Sequence, residues 1–337
     1  MLGGCVRGSA ENAPQPSSAA GEKAESVEIT LVSYAVTKSA YEKIIPKFVA
    51  AWKAETGQEV IFQQSYGGSG SQTRAVIDGL EADVVQLALA GDVEKIEEAG
   101  LIEPNWEQEA PNNAIVTRSV VALVTRENQP KVEKWSDLAD GRLQVITANP
   151  KTSGGAKWNF LALWGAVTQT GGTDAEAQAF VERVLKNVPV LAKDARESSD
   201  VFYKQGQGDV LMNYENEILL ARAKGDTQPY SVPLDTNISI EGAVAVVDKN
   251  VDQHQTREVA EAFVEFLYTP EAQREFARVG FRPVNAAVAQ EFSTQFPTVK
   301  KLFTVQDFGG WSQIDTQFFK ENALFDQSLR KIGRASR

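Results

Sequence analysis

A single cysteine and a single histidine in 337 residues remove most of the chemistry that proteins build on those side chains. One cysteine permits no internal disulfide, so the fold must stand on packing alone. One histidine is too little for an ordinary zinc site, and a Ser-His-Asp triad would have to use it. His254 sits in the polar run Val251-Asp252-Gln253-His254-Gln255 and reads as part of a solvated loop. Long apolar stretches are missing too: none reaches the roughly 20 residues of a spanning helix. Positive charge is in deficit, with 34 Lys and Arg against 45 Asp and Glu for a net charge of −11. A nucleic acid or an acidic membrane surface would repel such a chain. Catalytic pairs are scarce. Glu215 and Glu217 lie two apart at a helix start and face different ways. The glycine-rich run from Gly67 to Thr73 lacks the Gly-Lys-Ser/Thr ending that holds phosphate and Mg²⁺. Neither an enzyme, a cofactor nor a metal centre is expected.

What is present is an alternation of strands and helices. At 42% hydrophobic and 23% charged residues the chain can bury a full core, and its length suits two lobes. Val27–Tyr34, Glu59–Gln64, Ala82–Leu87, Gln144–Thr147, Val188–Ala192 and Asp209–Tyr214 read as strands by their β-branched content and alternation. Between them fall helical patterns. One runs over 37–56 with Tyr41, Ile44, Ile45, Phe48 and Trp52 on one face and Gly57 as its stop. Others follow at 92–99, at 157–167 with Trp158, Phe160, Leu161 and Trp164 as core, and after the capping box Thr173-Asp174-Ala175-Glu176. Thr269-Pro270 marks a further helix start. The end from Phe292 reads as mostly helix. Residues 115–126 and 239–247 are long for strands and are expected to cross between lobes. The pattern predicts an α/β fold with mostly parallel sheets flanked by helices.

Three strand-to-helix loops share one construction. Asn149-Pro150-Lys151-Thr152-Ser153-Gly154-Gly155-Ala156, Ser65-Tyr66-Gly67-Gly68-Ser69-Gly70 and Asp194-Ala195-Arg196 each open a helix. The first turn of a helix carries unpaired N–H donors and partial positive charge, which suits an anion. In open α/β sheets ligands sit beyond the carboxyl ends of the strands, where all three loops fall. An ordinary turn would also use glycine; the repetition is what points to binding.

The stretches Val32-Ser33-Tyr34, Gln64-Ser65-Tyr66-Gly67-Gly68-Ser69-Gly70, Glu81-Ala82-Asp83-Val84-Val85, Asn149 to Asn159, Gly208-Asp209-Val210-Leu211 with Glu215-Asn216-Glu217, and Phe308-Gly309-Gly310-Trp311 together resemble the sulfate-binding proteins of bacterial ABC importers. The resemblance runs from Val27 onward. It implies a two-lobed, type II-like periplasmic-binding-protein fold hinged by two crossing strands, working as a monomer that closes on sulfate and delivers it to a membrane permease. Carried over position by position, it implies main-chain donors at Ala35, Ser69, Gly154, Gly155 and Ala195, hydroxyl donors at Ser69 and Ser153, and a contact from Tyr214. The family has Asp where Ala35 stands, a change of little weight since the amide is the donor. It has Trp where Tyr214 stands, so a phenol replaces an indole N–H. Arg74, Lys157 and Arg196 are expected to be ion-paired scaffold. The expected lobes are 27–118 with 240–337, and 119–239. Thiosulfate, molybdate or phosphate receptors, or an enzyme acting on a phosphorylated substrate, are the alternatives.

Leu2-Gly3-Gly4-Cys5 resembles the lipobox of bacterial lipoproteins. Residues 6–26 are rich in Ala, Ser, Pro, Gly and Glu, a tether composition. Residues 1–26 are therefore expected to be a leash, lipidated at Cys5, that holds the protein in the periplasm or at the cell surface.

Overall fold

The computed structural model describes residues 1, 3, 4 and 26–334. Cys5 and nearly all of the expected tether lie outside the described residues.

The first sheet takes β1 (Ser26–Tyr34), β2 (Glu59–Gly67), β3 (Val84–Leu87) and β4 (Ile115–Ser119). The second takes β5 (Val121–Thr125), β6 (Val145–Ala148), β7 (Leu191–Ala192), β8 (Val210–Tyr214) and β9 (Tyr230–Ser231). The chain then returns through β10 (Thr236–Ile238) and β11 (Ile240–Val246), and β12 (Lys301–Phe303) pairs with β10. The orders are β2-β1-β3-β11-β4 and β7-β6-β8-β5-β9. β11 runs against both its neighbours and β5 against both of its own. Four strands of each sheet therefore point one way and one points back. The parallel pairs are bridged by helices because a parallel connection needs a long crossover.

Those helices are α1 (Lys38–Thr56), α2 (Ser69–Ile77) and α3 (Ala90–Glu98) on the first sheet, and α4 (Gly154–Thr168), α5 (Asp174–Lys186), α6 (Ala195–Tyr203) and α7 (Glu215–Ala223) on the second. α1 buries the face its spacing predicts, Tyr41, Ile44, Ile45, Phe48 and Trp52, and Gly57 ends it at φ +78°. Phe48 and Phe62 both meet Phe263 edge-on, with centroids 5.0 and 4.8 Å apart. α5 begins with the capping box of Thr173 and Glu176. α4 differs from the rest. It is buried almost all round from Gly154 to Gly165, as a helix between two bodies should be.

The long strand expected over 115–126 is two strands. Val120, fully buried, separates β4 from β5, which belong to different sheets. The return at Ser239 lies beside it, since Ile240 pairs with Ser119. Asn237 ties the two crossings together: its amide nitrogen donates to the Val121 carbonyl at 2.9 Å and its oxygen accepts from the Val121 N–H at 3.2 Å. Only Leu191–Ala192 of the expected 188–192 strand is extended.

The C-terminal chain is less helical than its apolar spacing predicts. After β12 it consists of short turns, including a π-helical turn over Asp315–Phe319 and a helix over Leu324–Lys331. It packs on the second sheet's helices. The Phe303 ring fills the space at Gly165, where a Cβ would stand 2.3 Å from it. Phe318 and Phe325 lie on Phe160, at 5.5 and 6.1 Å between centroids, and Lys331 pairs with Glu182 at 2.8 Å.

Candidate functional site

Four chain turns converge between the two sheets, and three of them open helices whose first amides lack an intrahelical acceptor. Ser153 is the N-cap of α4, and its Oγ accepts from the Ala156 N–H at 3.3 Å. That takes the third amide of the helix and leaves the first two, at Gly154 and Gly155, without an intrahelical acceptor. Asp194 caps α6 the same way, accepting from Glu197 N–H at 2.8 Å, and leaves the Ala195 N–H. α2 has no side-chain cap: the Gly68 carbonyl accepts from Ser71 and Gln72, both at 2.9 Å, so the Ser69 N–H is again in the unpaired first turn. Ala35 opens the short turn Ala35–Thr37 directly after β1.

These groups enclose one cavity of ≈ 10 Å³, lined among others by Ala35, Ser69, Ser153, Gly154, Gly155, Ala195 and Tyr214. All seven residues expected from the sequence line it. Tyr34, Val36, Gly67, Gly68, Ala88 and Asp194 complete the wall. Of these, Asp194 could have been found as a helix cap, and Ala88 could not, because nothing local marks it.

Tyr214 ends β8 and is 2% exposed. Its hydroxyl is buried without a hydrogen-bond partner among the described residues, and it stands beside Gly155, 3.0 Å from where a Cβ would lie. Burial pushes the phenol well above its ordinary pKa, so it stays protonated and can donate. The Ser153 hydroxyl accepts at Ala156 and gives its own proton to no acceptor among the described residues. Ser69 behaves otherwise. Its hydroxyl donates to Asp92 Oδ2 at 2.7 Å and accepts from Ala88 N–H at 3.0 Å. A hydroxyl has one proton, so Ser69 offers the cavity its amide and not the expected O–H.

No Lys or Arg lines the cavity. Arg196 is held by Glu217 through two bonds of 2.7 and 2.9 Å. Lys157 pairs with Asp315 at 2.9 Å. Arg74 departs from its expected ion pair and instead donates to the Lys151 carbonyl and to Ser71 Oγ, both at 3.3 Å. The Glu217 carboxyl is raised by burial, and the Arg196 guanidinium opposes the shift. A larger cleft of ≈ 660 Å³ adjoins through Ser153 and Gly154, with lysines and carboxylates interleaved along it.

The sheets meet closely around the cavity. A Cβ on Gly68 would lie 2.4 Å from the Thr152 carbonyl oxygen, and one on Gly154 would lie 2.6 Å from the Ala88 Cβ. Trp158 Nε1 donates across the cleft to the Ala88 carbonyl at 2.8 Å.

His254 is not a loop residue. It closes the helix Asp248–His254, with Nδ1 2.9 Å from Asp83 Oδ1. Asp83 also accepts from Thr256 Oγ1 at 2.6 Å and from Thr30 N–H at 2.7 Å. Glu215 pairs with Arg282 at 2.7 Å and Glu217 with Arg196, so the two carboxylates do face apart. No group of three or more His, Cys, Asp or Glu suited to a metal occurs among the described residues.

Two mostly parallel α/β sheets, with crossings side by side at Val120 and Ser239 and helix mouths enclosed between them, define a two-lobed solute receptor. Residues 29–282 match the family model described as bacterial extracellular solute-binding protein. The chain is 59% identical to a sulfate-binding protein from Synechocystis sp. over 99% of its own length and 95% of that protein's. It is 34% identical to a thiosulfate-binding protein from Pseudomonas aeruginosa, covering 97% and 96%. Among solved structures it resembles the sulfate-binding protein SubI from Mycobacterium tuberculosis, with a TM-score of 0.79 at 36% identity over 87% of this chain and all of that one. The chain belongs to the bacterial extracellular solute-binding protein family, which implies a periplasmic location.

Proposed function

We propose that this protein is a sulfate receptor that closes its lobes on the ion and delivers it to an ABC permease. The observation that carries the reading is the buried, unpartnered Tyr214 hydroxyl, set in one small cavity with the first-turn amides of three helices. A buried donor without an acceptor costs about 1–3 kcal/mol, and a bound acceptor would remove that cost. The ligand set is the amides of Ala35, Ser69, Gly154, Gly155 and Ala195 with the hydroxyls of Ser153 and Tyr214. Hydrogen bonds to a charged group contribute about 1.5–3 kcal/mol each, so neutral donors suffice for a dianion. A site made of donors favours sulfate, an acceptor at neutral pH, over an anion carrying its own O–H. The greater likeness to the Synechocystis sulfate-binding protein than to the thiosulfate-binding one favours sulfate over thiosulfate. The chain's relatives are sulfate- and thiosulfate-binding proteins, which supports a receptor rather than an enzyme.

The packing of the C-terminal chain on α4 and α5 favours lobes of 27–118 with 240–300, and 119–239 with 301–334. That moves the last segment from the first lobe, where the sequence had placed it. The receptor works as a monomer, tethered to the membrane by a lipid on Cys5; intact-mass analysis of protein from its native membrane would show the added lipid, and an unmodified Cys5 would remove the tether. Calorimetry with sulfate, thiosulfate, molybdate and phosphate tests the ligand. Sulfate should bind most tightly, and a stronger response to any of the others would replace it.

A further inference from the structure

The motif Phe308-Gly309-Gly310-Trp311 takes no part in the anion cavity, yet it reaches across the cleft. Gly309 and Gly310 sit at φ +81° and +85°, a left-handed pair that glycine alone adopts without strain. The turn they make seats Trp311 between the lobes. Its ring meets Trp158 of α4 edge-on, 4.8 Å between centroids. On the other side its Cβ touches Gly91 of α3, where an added Cβ would stand 2.7 Å away. One turn on, Asp315 accepts from Lys157 of α4 at 2.9 Å and lies 2.5 Å from Lys95 of α3. Asp315 therefore joins one lysine from each lobe.

We propose that Trp311 and Asp315 form a clasp by which the C-terminal segment of the second lobe grips α3 of the first when the receptor closes, slowing release of the anion. The proposal rests on the reading of the cavity as a sulfate site. The charges suit a clasp that opens. When the lobes part, Lys157 keeps Asp315 on one side. Lys95 keeps Asp92, now 3.5 Å away, on the other. Opening thus strands no unpaired charge, whose burial would be prohibitive. The grip also reaches the ligand donors, because Asp92 holds the Ser69 hydroxyl at 2.7 Å and lies 3.9 Å from Lys157.

Stopped-flow measurement of sulfate association and dissociation tests it on the full chain, using wild type, Asp315→Ala, Asp315→Glu and Gly91→Ala. Asp315 is 16% exposed and Lys95 36%, and loss of one partner of such a partly buried charge pair across closing lobes acts on dissociation. Asp315→Ala should release sulfate about tenfold faster with association within about twofold of wild type. Asp315→Glu should recover part of the difference, and Gly91→Ala, whose methyl meets Trp311, should also release faster. The melting temperature without sulfate should stay near wild type for Asp315→Glu and Gly91→Ala, and should fall for Asp315→Ala, which leaves the buried Lys157 without its partner. Unchanged dissociation in both alanine variants overturns the clasp, as does an equal fall in melting temperature with and without sulfate for Gly91→Ala. Wild-type binding decides the sulfate reading separately: a wild type that ignores sulfate ends that reading and the clasp with it, whereas normal wild-type binding with unaltered variant rates ends the clasp alone.

Discussion

The Cβ of Ala88 stands 2.6 Å from the place a Cβ on Gly154 would occupy, so the mouth of α4 meets the end of β3 with no room for a side chain. Leu89 Cδ2 at 2.9 Å and Ser69 Cβ at 3.2 Å crowd the same point. Gly154→Ala should weaken sulfate binding by about 1–3 kcal/mol, the usual cost of overpacking, and Gly154→Val by more. The obstruction exists only between closed lobes, so melting without sulfate should change little. Calorimetry and thermal melting check the two halves of this statement, and an affinity equal to wild type would contradict it.

Tyr214→Phe removes a hydroxyl that bonds to nothing else described in the protein. The variant should melt as high as wild type without sulfate, or slightly higher. Its sulfate affinity should fall by about 1.5–3 kcal/mol. An ordinary structural tyrosine would show the reverse, with lower stability and unaltered binding.

Ser153→Ala should act twice. The cap on the Ala156 amide is lost, at about 1 kcal/mol of stability, and the hydroxyl donor is lost, at about 1.5–3 kcal/mol of binding. Ser69→Ala makes the contrast, because its hydroxyl serves Asp92. Its effect should appear in stability more than in the direct contact with the anion.

His254 predicts a pH dependence far from the cavity. Its pKa is raised above the ordinary value by the hydrogen bond to Asp83, with burial opposing and Glu81 adding to the rise. A raised histidine contributes stability that is complete below its unfolded pKa of about 6.5 and is lost as pH rises through the higher folded value. The melting temperature of wild type relative to His254→Gln should therefore be greatest near pH 5–6 and shrink toward pH 9. A gap that widens with rising pH would show the sign to be wrong.

Much of the site could be read from the chain because helix mouths are local. Ser153-Gly154-Gly155, Gly68-Ser69 and Asp194-Ala195 are each contiguous, and glycine, serine and aspartate advertise a cap within three residues. What escaped was set by distant pairs. The Ser69 hydroxyl is drawn off by Asp92, 23 residues on, and no local pattern links them. His254 read as solvent-facing because its polar neighbours said so, whereas Asp83 lies 171 positions away. The long strand over 115–126 was legible as a crossing, but its break at Val120 is imposed by two sheets that the segment must serve in turn. The C-terminal segment failed for a similar reason. Phe318, Phe319 and Phe325 have helical spacing, yet they face Phe160 from a π turn and a separate short helix.

The most direct test is a crystal structure of the protein grown with sulfate. The account predicts one sulfate in the cavity, its oxygens about 2.7–3.1 Å from the amide nitrogens of Ala35, Ser69, Gly154, Gly155 and Ala195 and from the hydroxyls of Ser153 and Tyr214, with Arg196 still on Glu217 and Lys157 still on Asp315. A lysine or arginine nitrogen bonded to the ion, or a Tyr214 hydroxyl turned away from it, would contradict the claim that neutral donors hold the charge.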